Sequence, residues 1–534
     1  MQEFQNQLKQ AIKNLYNIDF EPEISPAPEN IDADYSSNAP LKLAKELHKS
    51  PMQIAEELGL GTPSAPGFLN FSLSADYLKD ALDNYKLSSD IFAGKTVICE
   101  FSDPNPFKVL HVGHLYTSIV GDSIGRLFEY AGANVIRANF GGDVGLHVAK
   151  TMYALQKKDT SNLTIEDIGK CYVEGTAAYE DDEAAKTEIT ALNKEIYKIN
   201  AEDIHGNELA DLYWKGRELS YDYFKKFYAS IGVKFDKYYP ESTVAALGLQ
   251  TVKDQLTKGV YEMSDGAVIF DGDKFGLHTR VFINKEGVPT YEAKDVGLIF
   301  TKYNDFHFDK SVVITGSEQL EYMKVVLKSV EQYAPDLVEK TSHLTHGLVK
   351  LPGNEKMSSR KGNFLKAVDV LNMVKDELKS EYNSEDEKVA LAATKYAFLK
   401  YRMGGNIIFD PKESVKMTGN SGPYLLYSAV RAKKILSNCN NDRETEYTYN
   451  IYEKNLIKKI LEYKTVLNDA VAEMAPHKVA NYLYELAQEF SRFYENCPVA
   501  GSAEEATRAK LVKTYLDTIT HGLNILGIEI PEEM

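Results

Sequence analysis

The sequence lacks any apolar run of the roughly 18 residues that a membrane-spanning helix needs. Its opening stretch, MQEFQNQLKQAIKNLYNIDF, carries charge throughout where a secretory signal would have an apolar centre. A cytoplasmic location and no membrane partner are therefore expected. Cysteine is scarce: Cys99, Cys171, Cys439 and Cys497 lie far apart and form no CxxC pair. That spacing speaks against a structural zinc site and suits a reducing compartment. An excess of positive charge is also missing, since 61 basic residues face 78 acidic ones for a net charge of -17. A generally basic nucleic-acid coat protein is excluded, although a local basic face for a large polyanion is not. Internal repeats are absent as well.

What is present is a globular composition, 43% hydrophobic and 26% charged, in 534 residues, enough for about two to four domains. Residues 1 to about 90 carry short helical patterns such as LKLAKELHKSPMQIAEELG, where Pro51 can open a helix and Gly59 can close one. EPEISPAPENIDADYSSN reads as loop. From Lys95 the period changes. TVICEF, a Pro/Asn loop, a helix from about Val109 to Ala131 capped at Gly132, and NVIRANF form a βαβ unit whose right-handed crossover makes the strands parallel. SVVITG, after the helix-compatible AKDVGLIFTKYNDF, adds another doubly covered strand. The centre, 91–410, is thus expected to be a doubly wound parallel-sheet α/β domain interrupted by a charged helical insertion at about 155–230. Beyond Asp410 strand signals vanish, and patterns such as VANYLYELAQEFSRFYENC indicate an α-helical bundle over 411–534.

FSDPNPFKVLHVGHL sits where the first central strand stops, which is where doubly wound sheets bind ligands. His111 and His114, three apart, lie on one side of the following helix. Its free backbone N–H groups and dipole favour an anion there. Gly113 leaves space for a flat group such as adenine to approach the backbone, and Lys108 adds a compact cation upstream. A metal pair lacks the HExxH spacing and a third ligand. A packed or capping pair is the remaining alternative.

HVGH resembles the HIGH signature of class I aminoacyl-tRNA synthetases, and SDPNPFKVLHVGHL with GDSIGRLFEYAG resembles the arginyl-tRNA synthetase family more narrowly. KMSSRKGN, over 356–363, resembles the KMSKS loop of that class. The family implies ATP contacts from His111, Gly113, His114, Met357, Ser358 and Ser359, with Lys356, Arg360 and Lys361 as phosphate cations. Ser359 stands where the class has its second lysine. The resemblance implies that a lysine before the HIGH motif serves instead, which Lys108 fits. GGDVGLHVAK resembles the family's GDWG segment through Asp143 and Gly145, with Val144 replacing the tryptophan, and Tyr116 follows HVGHL where arginine is common.

A guanidinium substrate calls for carboxylates. By resemblance, Glu241 in FDKYYPESTV and Asp295 in TYEAKDVGL would hold it, with Tyr291 alongside, while Asn105 and Gln319 fix the amino-acid end. SGPYLLYSAVRAKKIL resembles the start of the family's anticodon-binding bundle, where Tyr424, Tyr427, Arg431, Lys433 and Lys434 combine stacking rings with cations suited to RNA. LGIEIPEEM resembles the family's C-terminus. DADYSSNAPLKLAKEL and GFLNFSL resemble its additional N-terminal α+β domain over 1–90, thought to touch the tRNA elbow.

The resemblance implies an arginine:tRNA ligase that uses ATP with Mg²⁺, carries no structural zinc, takes tRNA(Arg) and arginine as substrates, and works as a monomer. A small-molecule nucleotidyl transferase on the same fold would not need the flanking domains. A silent paralogue that only binds tRNA would be expected to have lost the histidines or acids.

Overall fold

The computed structural model describes residues 2–28, 31, 33–353, 365–440 and 447–534. They divide into two compact units, Met1–Tyr85 with Arg443–Leu461, and Lys86–Asp442 with Glu462–Met534.

In the first unit a four-stranded antiparallel sheet has the order Ser25–Pro26, Tyr35–Ser37, Phe68–Phe71, Thr62–Ser64. The helices Gln2–Tyr16, Ala39–Leu47, Pro51–Leu58 and Ala75–Asp83 complete it. Ser50 caps the helix that Pro51 opens by accepting from Gln53 N at 3.1 Å, and Gly59 closes it at φ 62°. The segment expected to be loop is corrected here, because two of the four strands lie in it. They are two and three residues long, too short for alternation to register, and what holds them is tertiary: Tyr35 pairs with Phe71, and Phe4 stacks on Phe71 at 4.9 Å.

The second unit is built on a five-stranded sheet of β1 (Thr96–Glu100), β2 (Asn134–Gly141), β3 (Lys237–Pro240), β4 (Lys310–Gly316) and β5 (Thr341–His346). The order is β5-β4-β1-β2-β3, parallel throughout. The apolar runs at β1 and β4 form its buried middle, as expected of strands covered on both faces, and β2 is buried toward its carboxyl end. The outer strands KYYP and TSHLTH are only partly buried and polar or aromatic, so no continuous apolar run marks them. The strand order turns back between β1 and β4, placing the ligand crevice beyond their carboxyl ends.

Helix α1 (Val112–Tyr130) crosses from β1 to β2. The insertion forms α2 (Ile165–Asp181), α3 (Glu183–Ala201) and α4 (Glu208–Ser230), packed around Ile168, Cys171, Ile189, Ile196 and Tyr213. Next come α5 (Glu241–Leu256) and α6 (Tyr291–Phe306), which meet at two glycines. A Cβ on Gly248 would lie 1.9 Å from the Ala293 carbonyl oxygen, and one on Gly297 would lie 2.2 Å from that of Val244. Only glycine lets the two helices approach this closely. A three-stranded antiparallel sheet (Glu262–Ser264, Ala267–Phe270, Arg280–Ile283) lies between them in sequence, and its short strands left no pattern. Helices follow from Ala367, among them Gly422–Ser437, Pro476–Asn496 and Glu505–Ile525.

Among the described residues no helix is long and apolar enough to cross a membrane, and no group of three His, Cys, Asp or Glu side chains is placed to hold a metal ion.

Candidate active site

His111 is the N-cap of α1 and His114 its third helical residue. The Gly113 N–H donates to His111 Nδ1 and the His111 N–H donates to His114 Nδ1, both at 3.1 Å, a reciprocal capping box made of imidazoles. The rings stack at 3.8 Å. Capping and ligand binding are compatible here. Each Nδ1 accepts a backbone proton, so each ring proton sits on Nε2, and the helix presents two N–H donors beside its dipole. Burial, reinforced by Lys108, brings His111 down to about 4 and holds His114 well below the usual histidine range. Both are neutral donors at neutral pH. The room beside Gly113 belongs first to its neighbour, because a Cβ there would lie 2.8 Å from His111 Cε1.

Lys108 lies over the Tyr172 ring of α2 at 4.6 Å. Val112 N donates to the Leu365 carbonyl at 2.9 Å and Ala367 N to that of Leu110 at 3.0 Å. The backbone that follows KMSSRKGN in sequence is thereby laid against the histidines. Lys356, Met357, Ser358, Ser359, Arg360 and Lys361 themselves lie outside the described residues. Tyr116 is buried edge-on to His346, at 4.8 Å between ring centres, where it fills space rather than offering charge.

The crossing of α5 and α6 brings the acidic residues together. Glu241 opens α5 and is 2% exposed, while Tyr291, Lys294 and Asp295 come from the first turns of α6. Lys294 is buried and ion-paired with Glu241, and its ammonium also donates to Tyr197 Oη of α3 at 2.7 Å. Burial works against the ammonium, but Glu241 and Tyr197 outweigh it and hold Lys294 above the usual lysine range. Asp295 accepts from the Tyr322 hydroxyl, and burial pushes its carboxyl up to about 7. Asn105 Oδ1 accepts from Gly142 N at 2.8 Å, and a Cβ on Gly142 would lie 2.5 Å from Glu241 Oε2 and 2.9 Å from Asn105 Oδ1. Asn105 and Glu241 thus converge on one backbone point. Asp143, fully buried, accepts from Arg217 Nε of α4 at 2.9 Å and from Ser242 N and Oγ, tying the insertion to the start of α5. Gln319 ends a short 3-10 turn after β4 and is exposed.

In the helix Gly422–Ser437, Tyr424 is half-buried, with its hydroxyl 3.3 Å from Ser491 Oγ, whereas Tyr427 and Lys434 are exposed. The Arg431 guanidinium lies 4.6 Å from the Tyr427 ring and 4.7 Å from that of Tyr494. Sequence reading missed Lys294, Tyr197, Tyr322 and Tyr494. Lys294 stood inside TYEAKDVGL beside a chosen acid; the tyrosines come from remote segments and left no local signal.

Three family models match the chain: tRNA synthetases class I (R), catalytic domain, over 78–410; DALR anticodon binding domain over 425–534; and arginyl tRNA synthetase N terminal domain over 2–60. The arginine–tRNA ligase of Flavobacterium psychrophilum is 31% identical over 513 residues, covering 88% of this chain and 85% of the relative. That of Treponema denticola is 30% identical over 544 residues, covering 93% and 90%. The fold matches Thermus thermophilus arginyl-tRNA synthetase, with a TM-score of 0.77 at 23% identity and full coverage of both chains. The arginyl-tRNA synthetase of Plasmodium falciparum gives 0.75 at 21%, covering 100% of this chain and 99% of that one. By its catalytic domain, its flanking domains and its relatives, the chain belongs to the arginyl-tRNA synthetases of class I.

Proposed function

We propose that the chain is an arginine:tRNA ligase, joining arginine to ATP as arginyl-adenylate with release of pyrophosphate and passing the arginyl group to the 3'-terminal ribose of tRNA(Arg). The substrate carboxylate attacks the α-phosphorus, and negative charge gathers on the transferring and leaving oxygens. The Nε2–H groups of His111 and His114 lie ready for that charge, and fixed donors in a partly dehydrated site lower the barrier without reorganising. Lys108 adds a full positive charge nearby. Lys356, Arg360 and Lys361 are assigned to the triphosphate, with Met357, Ser358 and Ser359 beside them, and ATP enters as its magnesium complex. Glu241 and Asp295 take the guanidinium with Tyr291 against it, while Asn105 and Gln319 orient the α-amino and carboxylate groups. No side chain acts as a nucleophile, and rate comes from placement and charge stabilisation.

Residues 1–90 are assigned to the tRNA elbow, 91–410 to catalysis and 411–534 to the anticodon, with Tyr424, Tyr427, Arg431 and Lys434 as contacts. We assign a monomer and a cytoplasmic location.

The observation that carries this reading is the convergence of Asn105 and Glu241 on the Gly142 backbone, with buried Asp295 next in sequence to Glu241's ion-pair partner Lys294, in the same unit as the imidazole capping box. Pyrophosphate exchange, measured with each amino acid with and without total tRNA, tests it. Of the amino acids, arginine should support tRNA-stimulated exchange, and absence of tRNA-stimulated exchange with arginine overturns the reading.

A further inference from the structure

We infer that Lys294 is a tethered occupant of the guanidinium pocket, which arginine displaces on binding and which free lysine does not. This rests on the assignment of Glu241 and Asp295 to the substrate guanidinium. The Lys294 ammonium already has what such a pocket offers a cation. It pairs with buried Glu241 and donates to Tyr197 Oη at 2.7 Å, and it lies 5.2 Å from the Tyr197 ring centre and 5.3 Å from that of Tyr291. Lys294 and Glu241 side chains are 4% and 3% exposed, so neither is satisfied by water.

A carboxylate this deeply buried is costly to leave unpaired, and Lys294 neutralises Glu241 while no substrate is bound. Arginine must therefore exchange with a cation held in place by its own backbone, at high effective concentration. A guanidinium can make that exchange favourable. Its planar fork pairs two-to-two with a carboxylate and has donors left for Asp295, whereas an ammonium is a point charge. Once displaced, Lys294 keeps the Tyr197 hydroxyl and the two rings as partners. Free lysine would trade one ammonium for another with no gain in hydrogen bonding and would lose the advantage of the tether. Lys294 thereby acts against a competitor ammonium by already occupying Glu241.

The same pair explains a contribution of the insertion. Tyr197 is on α3 and is held near Gly145 at the start of the helix Leu146–Leu155, so the inserted helices supply the place to which Lys294 retreats.

The test is steady-state pyrophosphate exchange in the presence of tRNA, with arginine and with lysine, for the full chain and its Lys294→Met, Lys294→Gln and Glu241→Gln variants. Lys294→Gln keeps an amide donor for Tyr197 and guards against a folding defect in the Met variant. Removing the ammonium should lower the KM for arginine several-fold. It should also reduce the preference for arginine over lysine in kcat/KM by about tenfold or more, the range that one differential pocket contact supplies. If KM for arginine rises in both variants with the preference intact, Lys294 only supports Glu241 and the inference is overturned. Glu241→Gln separates the two levels: a large rise in its KM for arginine upholds the pocket whatever Lys294 does. An unchanged KM removes the pocket assignment and the inference together.

Discussion

The two ends of the site rest on different physical footings. At the histidine end, four consecutive residues build the feature. The His111 ring accepts from the Gly113 N–H and the His114 ring from the His111 N–H, and the polarity of the rings follows from that local closure. At the acidic end nothing is local. Glu241 and Asp295 are more than fifty residues apart, and they meet because α5 and α6 approach at Gly248 and Gly297. In the proposed reading the first end serves developing charge on phosphate and the second a ground-state cation. Damage to one should therefore appear in kcat and damage to the other in KM for arginine.

The largest separation is expected from His114→Ala. It removes the Nε2–H donor proposed to meet the phosphates, and kcat for exchange should fall about 10²- to 10³-fold, the usual effect of losing one preorganised donor. KM for arginine should stay nearly constant. A parallel rise in that KM would show that the two ends are one site energetically.

Gly248→Val attacks the other end from a distance. Its added carbons meet the Ala293 carbonyl, and forcing α5 from α6 should cost about 1–3 kcal/mol of stability. Thermal unfolding and KM values together check it, with KM for arginine rising and KM for ATP unmoved. An equal change in both would mean that the crossing supports the whole crevice.

A smaller effect is expected from pH. Asp295, raised to about 7 by burial, is protonated below that value and must ionise to pair with a guanidinium. KM for arginine should fall as pH rises through 7 and level off above it. His111, near 4, stays neutral over that window. An arginine KM that is flat from pH 6 to 8 would place the carboxyl elsewhere or deny its contact with substrate.

The smallest effect lies outside the comparison and calibrates it. Tyr427→Ala removes an exposed ring stacked against Arg431, and the KM for tRNA should rise by an amount near the low end of the ~1–3 kcal/mol typical of a base–aromatic stack. Exchange with arginine at saturating tRNA should not change. Loss of exchange there would show that the tyrosine serves the fold instead.

Much of the catalytic half was legible before any coordinates. The apolar runs at β1 and β4 announce buried parallel strands because such strands need apolar residues on both faces. KYYP and TSHLTH escaped because edge strands do not. The motif residues His111 and His114 could be chosen from sequence, but not which nitrogen each exposes, since that depends on a hydrogen bond closed only in the folded turn. Glu241 and Asp295 could be matched to a family pattern, yet Lys294 beside them passed as an ordinary helix lysine.

By itself the sequence determined the strand and helix periods, the place of the histidine pair at a helix start and the inventory of acids and cations. Each of these is a property of residues a few positions apart, governed by backbone hydrogen bonding and side-chain spacing. Tertiary structure alone decided that Glu241 is buried, that its counter-ion is Lys294, and that Tyr197 from the insertion accepts from the same ammonium. Burial and charge pairing depend on what surrounds a group in three dimensions, and no spacing along the chain encodes the dehydration that makes such a pair matter.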